Sequence, residues 1–140
     1  MTGSRRRVFL DANILFSACR SHGAIRDLLH ALEEQGNALV ADTYMAAEAR
    51  RNLVAKGPHG SIAVLDALLA RVELGTVQAM PHVSLDLTWL ADKDRPVLLA
   101  AISLNCHVLV TGDKAHFGVA YGKTCGGVRV CSPAQLFESV

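Results

Sequence analysis

The sequence predicts an α/β fold, a three-layer α/β/α sandwich around a central, mainly parallel sheet of four to five strands. Two observations carry this prediction. Short apolar segments alternate with segments of helical periodicity, and strands without internal polar residues are typical of a parallel sheet covered on both faces. The chain has 140 residues, of which 51% are hydrophobic and 19% are charged, a balance that fits one globular domain and argues against disorder. We therefore expect one domain over residues 1–140.

The first half of the chain predicts two strands, each followed by helical sequence. Its predicted elements, in chain order, are a strand at 7–10, two helical segments between 14 and 32 separated by a break at 21–23, a strand at 38–41, and a helix that ends before 57–58. Asp42 and Thr43 directly follow the second strand, and aspartate is a favoured helix N-cap. We therefore expect the helix that carries Glu48 to begin there.

The second half continues the alternation of strands and helices. Its predicted elements are a helix at 61–73, a brief strand at 76–79 before a loop around Pro81, a buried helix at 98–104, strands at 106–110 and 128–131, and a last helix from 132–133. Ser132 and Pro133 are typical of a helix start, because a serine caps the helix and proline is tolerated in the first turn.

Composition and charge exclude several classes of protein. Fourteen Lys and Arg residues against thirteen Asp and Glu residues give a net charge of +1, so no overall basic field points to a nucleic-acid partner. The cysteines form no CxxC pair and the histidines show no zinc-ligand spacing, so we expect reduced thiols. The longest aliphatic run, 97–102, is far shorter than the roughly 18–20 residues that span a membrane, and no signal-peptide pattern opens the chain. We therefore expect a soluble, cytoplasmic protein.

Acidic residues follow the strands at the points where a parallel sheet binds its ligands. Asp11 directly follows the first strand, and Asp113 lies three residues after Val110, at the end of another strand. In open parallel sheets, ligands bind beyond the carboxyl ends of the strands. Glu48 lies one to two turns into the helix that leaves the second strand, and Asp94 stands at the start of the predicted buried helix. If the strands are neighbours, these four carboxylates converge.

A cluster of four carboxylates needs a cation or raised pKa values. Two carboxylates about 4 Å apart repel by roughly 4 kcal/mol at an effective dielectric constant near 20. All-oxygen ligands suit Mg²⁺ or Mn²⁺, and such an ion activates a water molecule and stabilises the charge that develops on a phosphodiester. Asn13 adds a polar group beside Asp11. The pattern predicts metal-assisted phosphodiester hydrolysis.

Each acid also has a purely structural interpretation. Asp11 fits a helix N-cap, Glu48 fits a solvated helix residue, and Asp113 after a glycine fits a turn residue. What favours a functional site is the joint placement of these residues at strand ends and helix starts, not any one of them alone.

Asp92 is an alternative to Asp94, because it lies only two residues before it and is equally acidic. Pro96 decides between them. Proline is tolerated in the first turn of a helix, so a helix that begins at Lys93 or Asp94 fits better than one capped by Asp92. We therefore assign Asp94 to the site.

Three segments of the sequence resemble motifs of the PIN domain (PilT N-terminus) family. These are VFLDANIL at 8–15, KDRPVLLAA at 93–101 and LVTGDK at 109–114, and the strand and helix that end the chain are similar to the usual final elements of the family. Glu48 falls where the family carries its helix acid. The resemblance covers nearly the whole chain in the expected order, and it implies a PIN-like fold.

The resemblance implies a Mg²⁺- or Mn²⁺-dependent endoribonuclease, frequently the VapC-like toxin of a type II toxin–antitoxin pair. RNA would then be the substrate, a cognate antitoxin protein a partner, and a homodimer the expected assembly. Asn13 and Thr111 would hold the acids by hydrogen bonds. The metal-binding and catalytic residues carried over from the resemblance are Asp11, Glu48, Asp94 and Asp113.

The chain departs from the family pattern after the last of these motifs. Many members have another acid there, whereas this chain has Ala115, His116 and Phe117. We therefore expect one metal ion, or a second ion that is recruited only with substrate. His116 is interpreted either as a group that assists proton transfer near Asp113 or as an exposed loop histidine.

The sequence also contains candidates for RNA contacts and for a partner surface. Lys93, Arg95 and Lys114 lie beside the predicted metal ligands and are candidates to bind RNA phosphates, although ordinary solvated charge explains them too. The apolar helical segments 25–32 and 62–69 are candidates for a dimer or antitoxin surface, with core packing as the alternative.

The competing function is a non-catalytic PIN-like module that binds RNA or protein, and the presence of all four acids favours the nuclease.

Overall fold

The computed structural model describes residues 5–77 and 85–140 of the chain. Strands and helices alternate along it, and helices flank a central sheet. In chain order the elements are β1 (Arg7–Leu10), α1 (Ala12–Arg20), α2 (Ala24–Glu34), β2 (Ala38–Asp42), α3 (Thr43–Lys56), α4 (Ser61–Leu69), β3 (Glu73–Gly75), α5 (Arg95–Ser103), β4 (Val108–Val110), α6 (Lys114–Phe117), a 3₁₀ turn (Gly118–Ala120), β5 (Thr124–Cys125), β6 (Val128–Cys131) and α7 (Pro133–Glu138).

The sheet has the strand order β3-β2-β1-β4-β6-β5, so β1 lies in its interior between β2 and β4. All neighbouring strands are parallel except β5 and β6, which are antiparallel. Leu10 pairs with Val110, which brings the carboxyl ends of β1 and β4 side by side although 100 residues separate them. The predicted α/β architecture with a mainly parallel central sheet is confirmed.

The helices begin where the sequence supplies caps. The Asp11 side chain accepts a hydrogen bond from the backbone N–H of Ala12 at the start of α1, and the Asp42 side chain accepts one from Met45 at the start of α3. Ser132 and Gln135 form a reciprocal capping box at the start of α7. Two of these caps, Asp11 and Asp42, lie at strand ends, so the residues that start the helices also line the edge of the sheet.

The core consists of the central strands and the apolar faces of the helices packed on them. Phe9 and Leu10 in β1 are fully buried, as are Leu109 and Val110 in β4. The segments considered for a partner surface contribute to this core, since α2 buries Leu28, Leu29 and Leu32, and α4 buries Leu65 and Leu68. Their apolar periodicity is thus explained in large part by packing within the chain.

The sheet contains six strands rather than four to five, because the edges carry two very short strands. β3 forms at Glu73–Gly75 and not at 76–79, and α4 accordingly ends at Leu69 instead of reaching residue 73. Two contacts connect β3 to neighbouring parts of the fold. Arg7 in β1 donates two hydrogen bonds to the Glu73 carboxylate, and Gly75 lies so close to Leu104 that a Cβ atom there would be 2.5 Å from its side chain.

Two other predicted boundaries differ by a few residues. α5 begins at Arg95, three residues before the apolar segment predicted at 98–104 and close to the start at 93–94 that Pro96 indicates, and β4 covers Val108–Val110 rather than 106–110. Residues 78–79 of the predicted strand and the loop around Pro81 lie outside the described residues. Within residues 5–77 and 85–140, no helix combines the length and the apolar character needed to cross a membrane.

Candidate metal centre

The candidate site lies where the carboxyl ends of β1, β2 and β4 meet. The loop from β1 into α1 supplies Asp11, helix α3 supplies Glu48, the N-terminus of α5 supplies Asp94, and the turn after β4 supplies Asp113. All four side chains line the same cavity, which has a volume of about 750 Å³. We call it the acid cavity. Parallel pairing of the strands places these residues together although they are far apart in the sequence.

Asp11 is held by a small network of hydrogen bonds that crosses from β1 to β4. Its Oδ2 atom accepts a hydrogen bond of 2.8 Å from the Thr111 hydroxyl and one of 3.2 Å from the Asn13 amide. Thr111 Oγ1 in turn accepts a hydrogen bond of 3.1 Å from the backbone N–H of Asp113, and Asn13 Oδ1 accepts one of 3.1 Å from that of Gly112. The two side chains thus fix Asp11 relative to the turn that carries Asp113.

Burial raises the pKa of the Asp11 carboxyl, because removing a charge from water disfavours the ionised form. The hydrogen bonds from Thr111 and from the backbone of Ala12 act in the opposite direction, and the negative charges of Glu48 and Asp113 raise the pKa further. Asp11, Glu48 and Asp113 line the same cavity. A bound cation would offset both the free-energy cost of burying the Asp11 charge and the repulsion between the carboxylates.

Asp94 and Asp113 approach each other around a histidine. The Nδ1 atom of His116 lies 2.6 Å from Oδ2 of Asp113 and 3.6 Å from Oδ2 of Asp94, and one ligand atom from each of the three residues lies within 4.8 Å of the others. Oδ2 of Asp94 is buried and has no hydrogen-bond partner within the described part of the chain. A buried carboxylate oxygen without a donor is costly, so this atom fits a ligand of a bound cation.

The side chains of Asp94 and Asp92 lie in different environments. Asp94 is the N-cap residue of α5 without a capping hydrogen bond from its side chain, which is 14% exposed and faces the acid cavity. The Asp92 side chain is 90% exposed and forms an ion pair of 2.6 Å with Arg95. Pro96 occupies the first turn of α5, as the sequence predicts. The helix therefore presents Asp94, and not Asp92, to the cavity.

The three residues predicted to bind RNA phosphates lie in different environments. Lys93 lines the acid cavity, whereas Arg95 and Lys114 are not among its lining residues. The Arg95 guanidinium donates hydrogen bonds to the carbonyl oxygens of Leu87 and Leu90, so it ties the start of α5 to the preceding segment. Lys114 is exposed on α6. Lys93 is thus the candidate that the fold brings next to the acids.

The cavity also contains residues that the sequence did not single out. Phe16 and Tyr44 contribute aromatic walls, and Lys56 contributes a cation that lies 5.4 Å from the centre of the Phe16 ring. The Tyr44 side chain is 61% exposed although it is large and apolar in part. A signal was present in the sequence, since Phe16 lies five residues after Asp11 and Tyr44 lies two residues after the Asp42 cap, both near the start of helices that leave the sheet edge.

The chemistry of the lining residues fits a divalent metal ion. Carboxylate oxygens are preferred ligands of Mg²⁺ and Mn²⁺, and a metal-bound carboxylate is normally oriented by hydrogen bonds from neighbouring groups. Asp94 offers an oxygen that no described residue hydrogen-bonds, and Asp11 already has its orienting partners in Thr111 and Asn13. The arrangement can therefore hold a cation against several carboxylates and leave the rest of the cavity open to a ligand.

Comparisons with known proteins agree with this geometry. Residues 7–115 match the sequence model of the PIN domain family, which spans all four acids. No curated protein sequence matches the chain. The fold is similar to a chain in the crystal structure of VapBC2 from Rickettsia felis bound to a DNA fragment from their promoter, with a TM-score of 0.65, 17% sequence identity, and coverage of 90% of this chain and 98% of that chain. The chain belongs to the PIN domain family, whose members are generally nucleases.

Proposed function

We propose that this protein is a metal-dependent endoribonuclease that hydrolyses phosphodiester bonds of RNA, and that it is the toxin of a type II toxin–antitoxin pair. The observation that carries the proposal is the convergence of Asp11, Glu48, Asp94 and Asp113 on one cavity from four separate elements of the fold. Carboxylate oxygens that face one space from several elements are the ligand type that Mg²⁺ and Mn²⁺ prefer. An acid centre of this kind is suited to phosphodiester hydrolysis.

The four acids are the proposed metal ligands and catalytic residues. A divalent ion bound by them would activate a water molecule and neutralise the charge that develops on the phosphate. Thr111 and Asn13 fix the orientation of Asp11 through their hydrogen bonds. The Lys93 ammonium, at the rim of the same cavity, is placed to bind a phosphate oxygen of the substrate.

The aromatic walls of the cavity favour a single-stranded substrate. Exposed aromatic rings beside a cationic group are the usual platform for unpaired bases, because each base can stack on a ring while a cation holds its phosphate. Tyr44 supplies an exposed ring and Lys56 a cation within the acid cavity, and the half-buried Phe16 ring lies beside them. Bases of a duplex are stacked on one another and could not use such walls.

The toxin role rests on the family and on the fold. The Rickettsia felis neighbour is described as a VapBC2 assembly bound to promoter DNA, and its fold covers 90% of this chain. By that likeness, we infer that a cognate antitoxin protein binds this chain, that the chain forms a homodimer, and that it acts on RNA in the cytoplasm. The growth test is expression of the wild type and of Asp94→Asn in a bacterial host, where only the wild type should arrest growth.

The decisive experiment is RNA cleavage by the purified full chain. A pool of single-stranded and structured RNA is incubated with Mg²⁺, with Mn²⁺ or with EDTA, using the wild type beside Asp11→Asn, Asp94→Asn and the matched control Asp92→Asn. We expect metal-dependent cleavage by the wild type and Asp92→Asn, and a loss of at least about 100-fold in the two other variants. Circular dichroism checks that each variant is folded.

Two results would contradict the proposal. Equal cleavage by the wild type and Asp94→Asn would assign any nuclease activity to a different site or to a contaminant. Intact RNA under every metal condition, with folded protein free of a co-purifying inhibitor, would favour the competing function, a non-catalytic module that binds RNA or protein.

A further inference from the structure

We propose that His116 is a direct metal ligand through its Nδ1 atom, together with Asp94 and Asp113, and that the centre therefore binds a divalent transition-metal ion in preference to Mg²⁺. This inference rests on the proposed function and specifies its metal. In this centre, the nitrogen of His116 stands in for the acid that many PIN domains carry after the last motif.

The first argument is the geometry of the three residues. Nδ1 of His116, Oδ2 of Asp113 and Oδ2 of Asp94 point to one common space, with nitrogen–oxygen distances of 2.6 and 3.6 Å. Among the described residues, these are the three whose ligand atoms lie within 4.8 Å of one another, and Asp11 and Glu48 line the same cavity. The oxygen of Asp94 in this group is the buried atom that has no hydrogen-bond partner within residues 5–77 and 85–140, so a cation beside it would offset the cost of its burial.

The second argument is the proton between His116 and Asp113. Nδ1 of His116 and Oδ2 of Asp113 are 2.6 Å apart, which fits a hydrogen bond from the ring N–H to the ionised carboxylate. A metal ion would displace that hydrogen and lie off the line between the two atoms, where it accepts the lone pair of Nδ1 and a lone pair of the carboxylate. The neutral ring then carries its hydrogen on Nε2, so ligation needs only a change of tautomer.

The third argument is that a hydrogen bond to the backbone N–H of His116 fixes the residue that carries the ring. Asp113 caps α6, and its Oδ1 atom accepts a hydrogen bond of 3.2 Å from the His116 N–H. The neighbouring Phe117 is 1% exposed and anchors this short helix in the core. The side chains of His116 and Asp113 therefore stay on the same side of α6, with 37% and 28% exposure, at the wall of the acid cavity.

The consequence for metal choice follows from ligand chemistry. Carboxylates bind Mg²⁺ and Mn²⁺ alike, but an imidazole nitrogen suits transition metals and contributes little to binding Mg²⁺. A centre with one nitrogen among its donors thus discriminates between ions that an all-oxygen centre would bind similarly. His116 is the residue that makes this difference.

The test uses Mn²⁺ as the probe, because it is paramagnetic. Titration of the full chain with Mn²⁺, followed by the electron paramagnetic resonance signal of the free ion, gives its affinity, and competition with Mg²⁺ gives the preference. Electron spin echo envelope modulation of the bound Mn²⁺ detects a directly bonded ¹⁴N nucleus. The variants are His116→Ala, His116→Asp, and the matched control His59→Ala, an exposed histidine that does not line the cavity.

We expect ¹⁴N modulation in the wild type and in His59→Ala, and its loss in both His116 variants. His116→Ala should bind Mn²⁺ at least about tenfold more weakly, and His116→Asp should bind Mn²⁺ while its preference over Mg²⁺ falls. Bound Mn²⁺ without ¹⁴N modulation in the wild type, or modulation that persists in folded His116→Ala, would overturn the role of His116 and leave the proposed nuclease intact. Failure of the wild type to bind Mn²⁺ would also overturn the role of His116, whereas the proposed nuclease would fall only if RNA stayed intact with Mg²⁺ as well.

Discussion

The Thr111 hydroxyl donates a hydrogen bond of 2.8 Å to the carboxylate of Asp11, across the pair of strands β1 and β4. Thr111 is fully buried, and Asp11 is 7% exposed, so water cannot replace this bond. The same hydroxyl oxygen accepts a hydrogen bond from the Asp113 backbone. One side chain thus links two of the proposed metal ligands.

Replacing this threonine with valine should affect both stability and metal binding. Thr111→Val leaves the buried Asp11 oxygen with one donor fewer and the Asp113 N–H without its acceptor, which should cost about 1–3 kcal/mol of unfolding free energy. Metal affinity should fall roughly 10- to 100-fold, because the acids lose their orientation. Urea denaturation and metal titration measure the two effects. Thr111→Ser keeps the hydroxyl and should stay close to the wild type, and a Thr111→Val protein with unchanged metal affinity would contradict the coupling.

The buried cap Asp42 should make stability depend on pH. Burial raises the pKa of its carboxyl above 3.8, although the hydrogen bond from Met45 opposes the shift. The folded protein then holds this proton more tightly than the unfolded chain, so the contribution of Asp42 to stability is greatest below pH 3.8 and falls as the pH rises through the raised pKa.

Asp42→Asn tests this dependence, since asparagine keeps a capping side chain and removes the charge. The variant should gain stability relative to the wild type as the pH rises from 3 to 7, measured as the difference in unfolding free energy at each pH. Asp42→Ala also removes the charge but loses the cap, and it should be about 1 kcal/mol less stable than Asp42→Asn. A difference between wild type and Asp42→Asn that stays constant with pH would show that the carboxyl titrates normally.

The exposed ring of Tyr44 should contribute to binding of unpaired bases. Tyr44→Ala, made in the Asp94→Asn background so that RNA stays intact, should weaken binding of a single-stranded oligonucleotide by about 1–3 kcal/mol, or about 5- to 150-fold. Fluorescence anisotropy gives the affinity. Val54→Ala is the matched control, because Val54 is 73% exposed on the same helix α3 and does not line the acid cavity. Equal losses in the two variants would argue against a stacking role.

Lys93 and Lys114 should differ in their effect on the salt dependence of RNA binding. Lys93 lines the acid cavity, whereas Lys114 does not. Lys93→Gln should therefore weaken binding and reduce the slope of log affinity against log salt by about 0.7, as expected for the loss of one phosphate contact on a single strand. Lys114→Gln should leave the slope unchanged. The reverse result would place the RNA on the other side of the turn that carries Asp113.

Much of the candidate site follows from a general property of parallel sheets. Asp11 and Asp113 could be paired from sequence because each lies just beyond an apolar strand, and the structure places those strands side by side. Asp94 could be separated from Asp92 because a proline in the first turn limits where a helix can begin. These inferences needed only local sequence and strand order.

The remaining features depend on where side chains point after folding. Whether Tyr44 lines a cavity or faces solvent elsewhere depends on the rotation of α3 about its axis, which packing decides. The role of His116 could not be separated from that of an ordinary loop histidine, since its distance to Asp94 arises from α5 and α6 meeting in space. β3 was misplaced because a three-residue edge strand has too few residues to show a pattern.

The position of β1 in the sheet has a consequence for the synthesis of the protein on the ribosome. Asp11 is translated about a hundred residues before its partner Thr111 and the turn that holds Asp113 and His116. No partial product that ends before β4 contains the full acid cavity. The proposed metal centre can therefore assemble only after β4 has been translated and has paired with β1.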